Sequence, residues 1–371
     1  MKIAMMGHKR VPSREGGIEI VVEELASRMA EKGHDVVLYN RKRKTATEIN
    51  EYKGCKLKEV FTVDKRSLDA IVYSYFATKK IKKSDADVAH IHAEGPCAFL
   101  RFLRRKKNMK KVVTVHGLDW QRGKWSGFGG KFLKWCEKQA VKYADEIIVL
   151  SENNVKYFKE TYGRDTVYIP NGICEPELRP ANLITEKWGL NKDDYVLFLA
   201  RLVPEKGAHY LVNAWKEVKK RLGTDKKLVI AGGNSHSGGY FDEITELCKD
   251  DDSIIMTGFV QGQPLEELYS NAYLYVLPSD IEGMPMSLLE ALSYGNKCLV
   301  SDIPENTEVI KDKGYTFRKS DEVDLSEKLE TLIKAELVTH TEKIIPFSWD
   351  EVTEKTLEVY QRKGNESSSR K

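Results

Sequence analysis

Arg201 and Lys206 stand five residues apart in ARLVPEKG, residues 200–207, directly after an apolar run. Two cations placed this way across a loop can converge on one diphosphate through charge-assisted hydrogen bonds. The plainer alternative is a pair of solvated loop cations. Further along, EGMPMSLLEA puts Glu282 and Glu290 on either side of a Gly-Met-Pro turn. A helix starting near Pro285 leaves Glu282 in the loop ahead of it and Glu290 more than a turn inside it. The backbone N–H groups of Met284 to Ser287 would then face a ligand phosphate. Without that context the pair carries little meaning, because 31% of the residues are charged.

REGGIE, from Arg14 to Glu19, lies between an apolar run and a helical pattern. Its paired glycines let backbone approach a ligand at a helix N-terminus, although Gly-Gly in such a loop is often only a tight turn. It is not the G-x-G-x-x-G fingerprint, and no G-x-x-x-x-G-K-[ST] phosphate loop occurs in the chain. His90 and His92 alternate along DVAHIHA and so share a strand face. With no third ligand nearby, they are expected to line a cleft or satisfy backbone groups rather than hold a metal. The six cysteines are scattered singly and suggest neither a disulfide framework nor a zinc site.

These residues need elements to hold them. KIAMMG, a polar loop, a helix carrying Ile18, Val22, Leu25 and Met29, and DVVLYN read as strand, loop, helix, strand, the unit of a parallel sheet. The theme recurs at DVAHIHA, KKVVTVHG and DEIIVLS. It restarts after residue 180 with DYVLFLARL, KKLVIAGG, SIIMTGF, AYLYVLPS and NKCLVSD. At roughly 150 residues per domain, 371 residues suggest two α/β domains. No run is apolar for long enough to span a membrane, and the opening MKIAMMGHKR turns basic before an export signal could develop. The expected location is the cytoplasm.

The motif order GGIE, VHGLDW, ARLVPEKG and then Glu282 and Glu290 resembles the retaining nucleotide-sugar glycosyltransferases of family 4, over nearly the whole chain. The opening MKIAMMGHKRVPSREGGIE is most similar to bacterial enzymes of polysaccharide assembly described as rhamnosyltransferases. The resemblance implies a GT-B fold, in which two Rossmann-like domains face each other across a cleft. They would span residues 1–175, which bind the acceptor, and 176–347, which bind the nucleotide sugar. A helix and tail over 348–371 would cross back to the first domain.

By the same resemblance, Arg201 and Lys206 neutralise the donor diphosphate, and Gly16 and Gly17 bring the first helix near it. Glu282 holds hydroxyls of the transferred sugar, Glu290 binds the ribose, and Gly283, Met284, Pro285 and Met286 surround the donor. Backbone near Val260 reads the nucleobase edge. His116 stands near the reacting centre, with Arg14 and Asp119 toward the acceptor. No cofactor and no metal are implied. The donor would be dTDP-rhamnose or a UDP-hexose, and the acceptor a saccharide or lipid-linked saccharide. The alternatives are a nucleotide-sugar epimerase of the same fold and a non-catalytic nucleotide-sugar-binding protein.

Charge is divided unevenly. Residues 1–180 hold 36 Lys+Arg against 23 Asp+Glu, and the remainder hold 24 against 33. Cations gather in Arg41–Lys44, Lys79–Lys83 and Arg101–Lys111. Arg122, Lys124, Lys131 and Lys134 are mixed with Trp125, Phe128, Phe132 and Trp135. Such mixtures suit an anionic membrane surface, here the inner face of the plasma membrane. Nucleic acid is disfavoured by the acidic second half and by the absence of a recognised motif.

Overall fold

The computed structural model describes residues 1–14, 16–43, 49–65, 68–121, 127–233, 239–335, 340 and 342–362. Arg122, Lys124, Trp125 and Lys44, expected on the basic face, lie outside the described residues. The chain divides into two compact units, residues 1–172 with 347–371, and residues 173–346.

The first unit runs β1 (Lys2–Met6), α1 (Gly17–Glu31), β2 (Asp35–Arg41), β3 (Glu51–Tyr52), β4 (Cys55–Val60), α2 (Asp69–Lys83) and β5 (Val88–His92). It continues with a 3₁₀ segment (Gly95–Leu103), β6 (Lys110–Val115), a 3₁₀ turn (Asp119–Gln121), α3 (Phe128–Tyr143), β7 (Glu146–Val149), α4 (Glu152–Tyr162) and β8 (Val167–Tyr168). Its sheet order is β3-β4-β2-β1-β5-β6-β7-β8, parallel except for β3. Helices cover both faces, so the strands read as nearly continuous apolar runs.

The second unit runs α5 (Leu183–Trp188), β9 (Tyr195–Leu199), a 3₁₀ turn (Pro204–Lys206), α6 (Ala208–Leu222), β10 (Lys227–Ala231), α7 (Tyr240–Cys248), β11 (Ile254–Gly258) and α8 (Gln263–Asn271). Then follow β12 (Leu274–Leu277), α9 (Met286–Ser293), β13 (Cys298–Ser301), α10 (Pro304–Ile310), β14 (Tyr315–Phe317) and α11 (Glu322–Lys334). Its sheet is parallel throughout, in the order β11-β10-β9-β12-β13-β14. Core clusters pack on both faces, one around Trp215, Leu228 and Leu325, the other around Leu197, Tyr275 and Leu288. Both units are Rossmann-like.

The chain then rejoins the first unit as α12 (Trp349–Gln361). Ser348 and Glu351 cap it reciprocally, each side chain taking the other's backbone N–H. It packs on α1 through Arg28–Asp350 (2.9 Å) and Lys32–Glu354 (2.5 Å). A Cβ at Gly172 would fall 2.7 Å from the Trp349 nitrogen, so the two segments touch through bare backbone. All six cysteines are free. Among the described residues, no helix is long and apolar enough to cross a membrane.

Candidate functional site

In the second unit the loops singled out by sequence leave adjacent strand ends. β9 and β12 pair directly, Val196 with Leu274 and Leu197 with Tyr275. On one side of them lie β10 and β11, on the other β13 and β14. Such a reversal of winding opens a crevice at the carboxyl ends of the strands, where α/β sheets bind ligands. ARLVPEKG leaves β9 there, and the loop leading to EGMP leaves β12.

The two loops are joined. Gly207 has φ +69°, and a Cβ on it would lie 2.1 Å from the Pro278 carbonyl oxygen, so both its conformation and its neighbour demand glycine. The Asp280 N–H donates to the Glu205 carbonyl at 2.9 Å. The Lys206 ammonium pairs with the Glu282 carboxylate, which also accepts from Ser279 Oγ at 2.6 Å. Tyr210 and Ser320 hydroxyls donate to Asp280 at 3.2 and 2.6 Å, fixing the loop further. Arg201, in contrast, is exposed, and its guanidinium has no partner among the described residues. The result is one cation held by a carboxylate and one open to a ligand.

α9 begins at Met286, with Pro285 in an extended conformation before it. The first N–H groups of a helix lack intrahelical acceptors, which makes this end attractive to an anion. Pro285 and Gly283 are buried, while Met284 and Met286 are half-buried. Glu290, one turn on, accepts from the Tyr269 hydroxyl at 2.8 Å. The Tyr275 hydroxyl donates to Ser287 Oγ at 2.8 Å. Burial pushes both phenols well above their ordinary pKa, so they remain protonated donors. These tyrosines were not foreseen as support for Glu290 and Ser287, because nothing in LYSNAYLYVL distinguishes them from core aromatics.

Val260 is half-buried against the core that contains Leu277 and Leu288. Nearby, the Gly232 N–H donates to the Gly258 carbonyl at 2.9 Å, and a Cβ at Gly232 would meet the Ala200 oxygen at 2.1 Å. The ends of β9, β10 and β11 therefore draw together. Phe259, between Gly258 and Val260, is 58% exposed and offers a ring face that the sequence reading did not single out.

In the first unit, winding reverses between β1 and β5, paired as Met5 with His90. Gly7, at φ +113°, lies so close to β5 that a Cβ would fall 2.0 Å from the His92 oxygen. His8 Nε2 donates to Asn40 Oδ1 at 2.9 Å; that oxygen also accepts the Val11 N–H, which sets the amide's orientation. His90 bridges the Tyr360 hydroxyl (2.6 Å) and Thr114 Oγ1 (2.7 Å). His92 Nδ1 meets His116 Nε2 at 3.0 Å.

His90 and His92 share a face as expected, with rings 4.1 Å apart, but they are fully buried and their partners are side chains. The expectation of cleft-lining or backbone-capping imidazoles is corrected on that ground. Burial is the largest cause in each case, lowering His8 to about 4 and His90 to about 3 and holding His92 well below the usual range. His116 is half-buried at the end of this row. Among the described residues, no group of three or more His, Cys, Asp or Glu side chains has an arrangement suited to a metal ion.

Three residues after His116, the Asp119 N–H donates to Glu94 Oε2 at 3.0 Å. Glu94 is fully buried. Burial, then Asp119 and Glu137, push its pKa well up. Glu137 stays below the usual carboxylate range: burial raises it, but neighbouring Glu94, hydrogen bonds from the Tyr162 and Tyr157 hydroxyls and the charge of Lys134 outweigh burial. Trp120 Nε1 and the Tyr157 hydroxyl donate to it at 3.1 and 2.8 Å. The Lys134 ammonium, expected on a lipid-facing surface, instead lies 4.1 Å from the Trp120 ring centroid and 3.1 Å from Glu137. It is part of the packing beneath the His116–Asp119 loop.

Arg14, expected toward an acceptor, forms a two-pronged pair with buried Glu23 at 2.9 and 3.1 Å, joined there by Lys53 and Tyr52. Gly16 precedes α1 and Gly17 opens it. A Cβ at Gly16 would meet Glu19 Oε2 at 2.6 Å. Glu19 is itself buried and accepts the Lys9 N–H at 2.9 Å. The glycine pair thus has a reason inside the chain as well as any toward a ligand. The buried Glu19 and Glu23 escaped the sequence reading because they look like the solvated face of a charged helix.

Two Rossmann-like units of this topology, each with its loops at a switch point, define a GT-B glycosyltransferase fold. Glycosyltransferase Family 4 matches residues 15–175 and Glycosyl transferases group 1 matches residues 181–346; the chain belongs to these glycosyltransferases. An uncharacterized glycosyltransferase of Methanocaldococcus jannaschii is 25% identical over 97% of this chain and 98% of its own length. The UDP-Gal:alpha-D-GlcNAc-diphosphoundecaprenol alpha-1,3-galactosyltransferase of Escherichia coli is 28% identical over 66% of this chain and 65% of its own. Among solved structures, sucrose-phosphate synthase from Thermosynechococcus elongatus superposes with a TM-score of 0.82 at 18% identity, covering 97% of this chain and 98% of that one.

Proposed function

We propose that the chain transfers a glycosyl group from a nucleoside-diphosphate sugar to a hydroxyl of a saccharide or lipid-linked saccharide, with retention, in cell-surface polysaccharide assembly. The observation that carries this reading is the joining of the β9 and β12 loops. It sets an open Arg201 cation, the Lys206–Glu282 pair and the N-terminal end of α9 around one switch point. Arg201 and Lys206 offset the charge that grows on the departing diphosphate, the electrostatic work that a metal does in other sites. Glu282 then exchanges part of its bond to Lys206 for sugar hydroxyls, and Glu290 binds the ribose.

Donor candidates are a UDP-hexose and dTDP-rhamnose. A relative named for UDP-Gal and a diphosphoundecaprenol acceptor supports the first donor and a lipid-linked acceptor. Under this reading the basic first unit takes the acceptor at the inner face of the plasma membrane, with His116 near the reacting centre. No metal and no cofactor take part.

The test is thermal unfolding with UDP, dTDP, GDP or ADP in EDTA, for the wild type and for Arg201→Ala. A ligand at about a hundred times its dissociation constant stabilises the fold by about 2.7 kcal/mol. One nucleotide should protect, and the variant should lose that protection. Protection that is equal in both proteins would place the diphosphate elsewhere.

A further inference from the structure

Many of the first unit's cations are already neutralised within the fold. Arg41 and Arg43 pair with Asp69 at 2.9 and 2.8 Å, Lys111 with Asp145 at 3.0 Å, and Lys2 with Asp85. One group is not. Lys82 at the end of α2, Arg101, Arg104 and Arg105 along and beyond the 3₁₀ segment, and Phe102 and Tyr143 line a groove of about 410 Å³. None of these four cations pairs with a carboxylate among the described residues, and none of the lining residues is acidic.

A row of aromatic rings continues from this groove. Phe102 packs on Phe99 at 5.9 Å and on Tyr75 at 6.2 Å, Tyr75 edge-on to Phe76 at 5.2 Å, and Phe76 to Phe61 at 5.5 Å. At the end of the row Phe76 is 38% and Phe61 55% exposed, and Leu68 and Ile71, at the start of α2, are exposed as well. Along α2, Ile71, Tyr75, Phe76, Lys79 and Lys82 form one outward stripe, apolar first and basic at the end. The opposite face buries Tyr73, Ala77 and Ile81. Lys79 folds over Tyr75 at 4.4 Å, its stem lying along the stripe.

We propose that this stripe, the outward face of α2 with the 3₁₀ segment, is the surface by which the first unit docks on an anionic phospholipid bilayer. The exposed rings and aliphatics enter the acyl boundary while Lys82, Arg101, Arg104 and Arg105 take lipid phosphates. Unpaired cations beside a continuous apolar strip fit that boundary, where charge and hydrophobic burial act together. A single-stranded nucleic acid needs open ring faces for its bases, and most of these rings are engaged edge to face with one another. The inference deepens the membrane-facing reading above and gives it a location other than the α3 aromatics, Phe128 and Trp135.

The experiment is co-sedimentation of the full chain with phosphatidylcholine vesicles, with and without phosphatidylglycerol, in the absence of donor. The wild type should sediment only with the anionic vesicles, and less at high salt. Arg104→Glu with Arg105→Glu should weaken binding on the order of tenfold or more, since each cation near such a surface contributes about 1 kcal/mol. Phe61→Ser with Phe76→Ser should weaken it as well, whereas Phe128→Ser with Trp135→Ser should not. Arg104→Gln with Arg105→Gln is the milder pair, and circular dichroism checks that each variant is folded.

The idea is overturned if the wild type ignores anionic vesicles, if charge reversal changes nothing, or if the α3 pair alone abolishes binding. It is also overturned if inorganic diphosphate or polyuridylate competes fully while the aromatic pair has no effect. Nucleotide protection is measured separately on the same proteins. Vesicle binding without nucleotide protection would therefore count against sugar transfer alone, and the reverse against this surface alone.

Discussion

Lys206 and Glu282, on loops that leave two adjacent strands of the second unit, form a largely buried ion pair with each other. The pair holds the β9 loop against the β12 loop, so the same two side chains serve architecture and chemistry. Removing Lys206 leaves Glu282 as an unpaired carboxylate at low exposure. Lys206→Met should destabilise the protein by about 2 kcal/mol, and Glu282→Gln added to it should cost much less than Glu282→Gln alone. A double-mutant cycle in urea measures this coupling, and strict additivity would contradict it.

Gly207 is predicted to be irreplaceable for two separable reasons. Gly207→Ala should cost more than about 3 kcal/mol, since a positive φ is combined with a collision against the Pro278 carbonyl. Gly223 has φ +59° with nothing within 4 Å of its missing Cβ, so Gly223→Ala should cost only about 1–2 kcal/mol. Equal losses in denaturant unfolding would show that the loop contact carries no weight.

Stability should fall in mild acid because of the buried imidazoles. His8, near 4, and His90, near 3, stay neutral in the folded state, while an unfolded histidine titrates near 6.5. Below about pH 6.5 the unfolded chain therefore binds more protons. Each such histidine's contribution is complete above that pH and is lost toward pH 4, by up to about 1.4 kcal/mol per pH unit. Urea midpoints between about pH 7 and pH 5.5 should decline in the wild type and decline less in His90→Gln.

Glu94 and Glu137 should respond unequally to the same substitution. An amide removes the charge that burial disfavours at Glu94 and keeps an acceptor for the Asp119 N–H, so Glu94→Gln should cost less than about 1 kcal/mol. Glu137→Gln removes the charge facing Lys134, Tyr157 and Trp120 and should cost about 3 kcal/mol. Glu94's raised pKa gives stability that is full below about pH 4.5 and lost as pH rises through its folded value. Glu94→Gln should abolish that loss with rising pH, as pH-dependent unfolding would reveal.

Much of the architecture was legible because parallel strands covered on both faces are short apolar runs, and KIAMMG, DVVLYN, DYVLFLARL and AYLYVLPS all became strands. The short β3, β8 and β14 lack that signature and went unread. The motifs put Arg201, Lys206 and Glu282 on loops and Glu290 more than a turn inside a helix, which is where the fold has them. Their pairings were hidden, since the adjacency of β9 and β12 is a property of strand order that no local spacing encodes. For the same reason Lys134 was read as a surface cation when Glu137 and three aromatic rings pack around it, and the hold of Glu23 on Arg14 went unread.

The helix that covers α1 and reaches His90 through Tyr360 is made only after every residue of the second unit. A chain emerging from the ribosome can complete the second unit from one continuous stretch, 173–346, while the first still lacks α12. Until Trp349 seats against Gly172, the N-terminal unit carries a bare face on α1 and an unsatisfied His90. The part synthesised first is thus the last to reach its final form, and on that open face a nascent chain is most in need of protection.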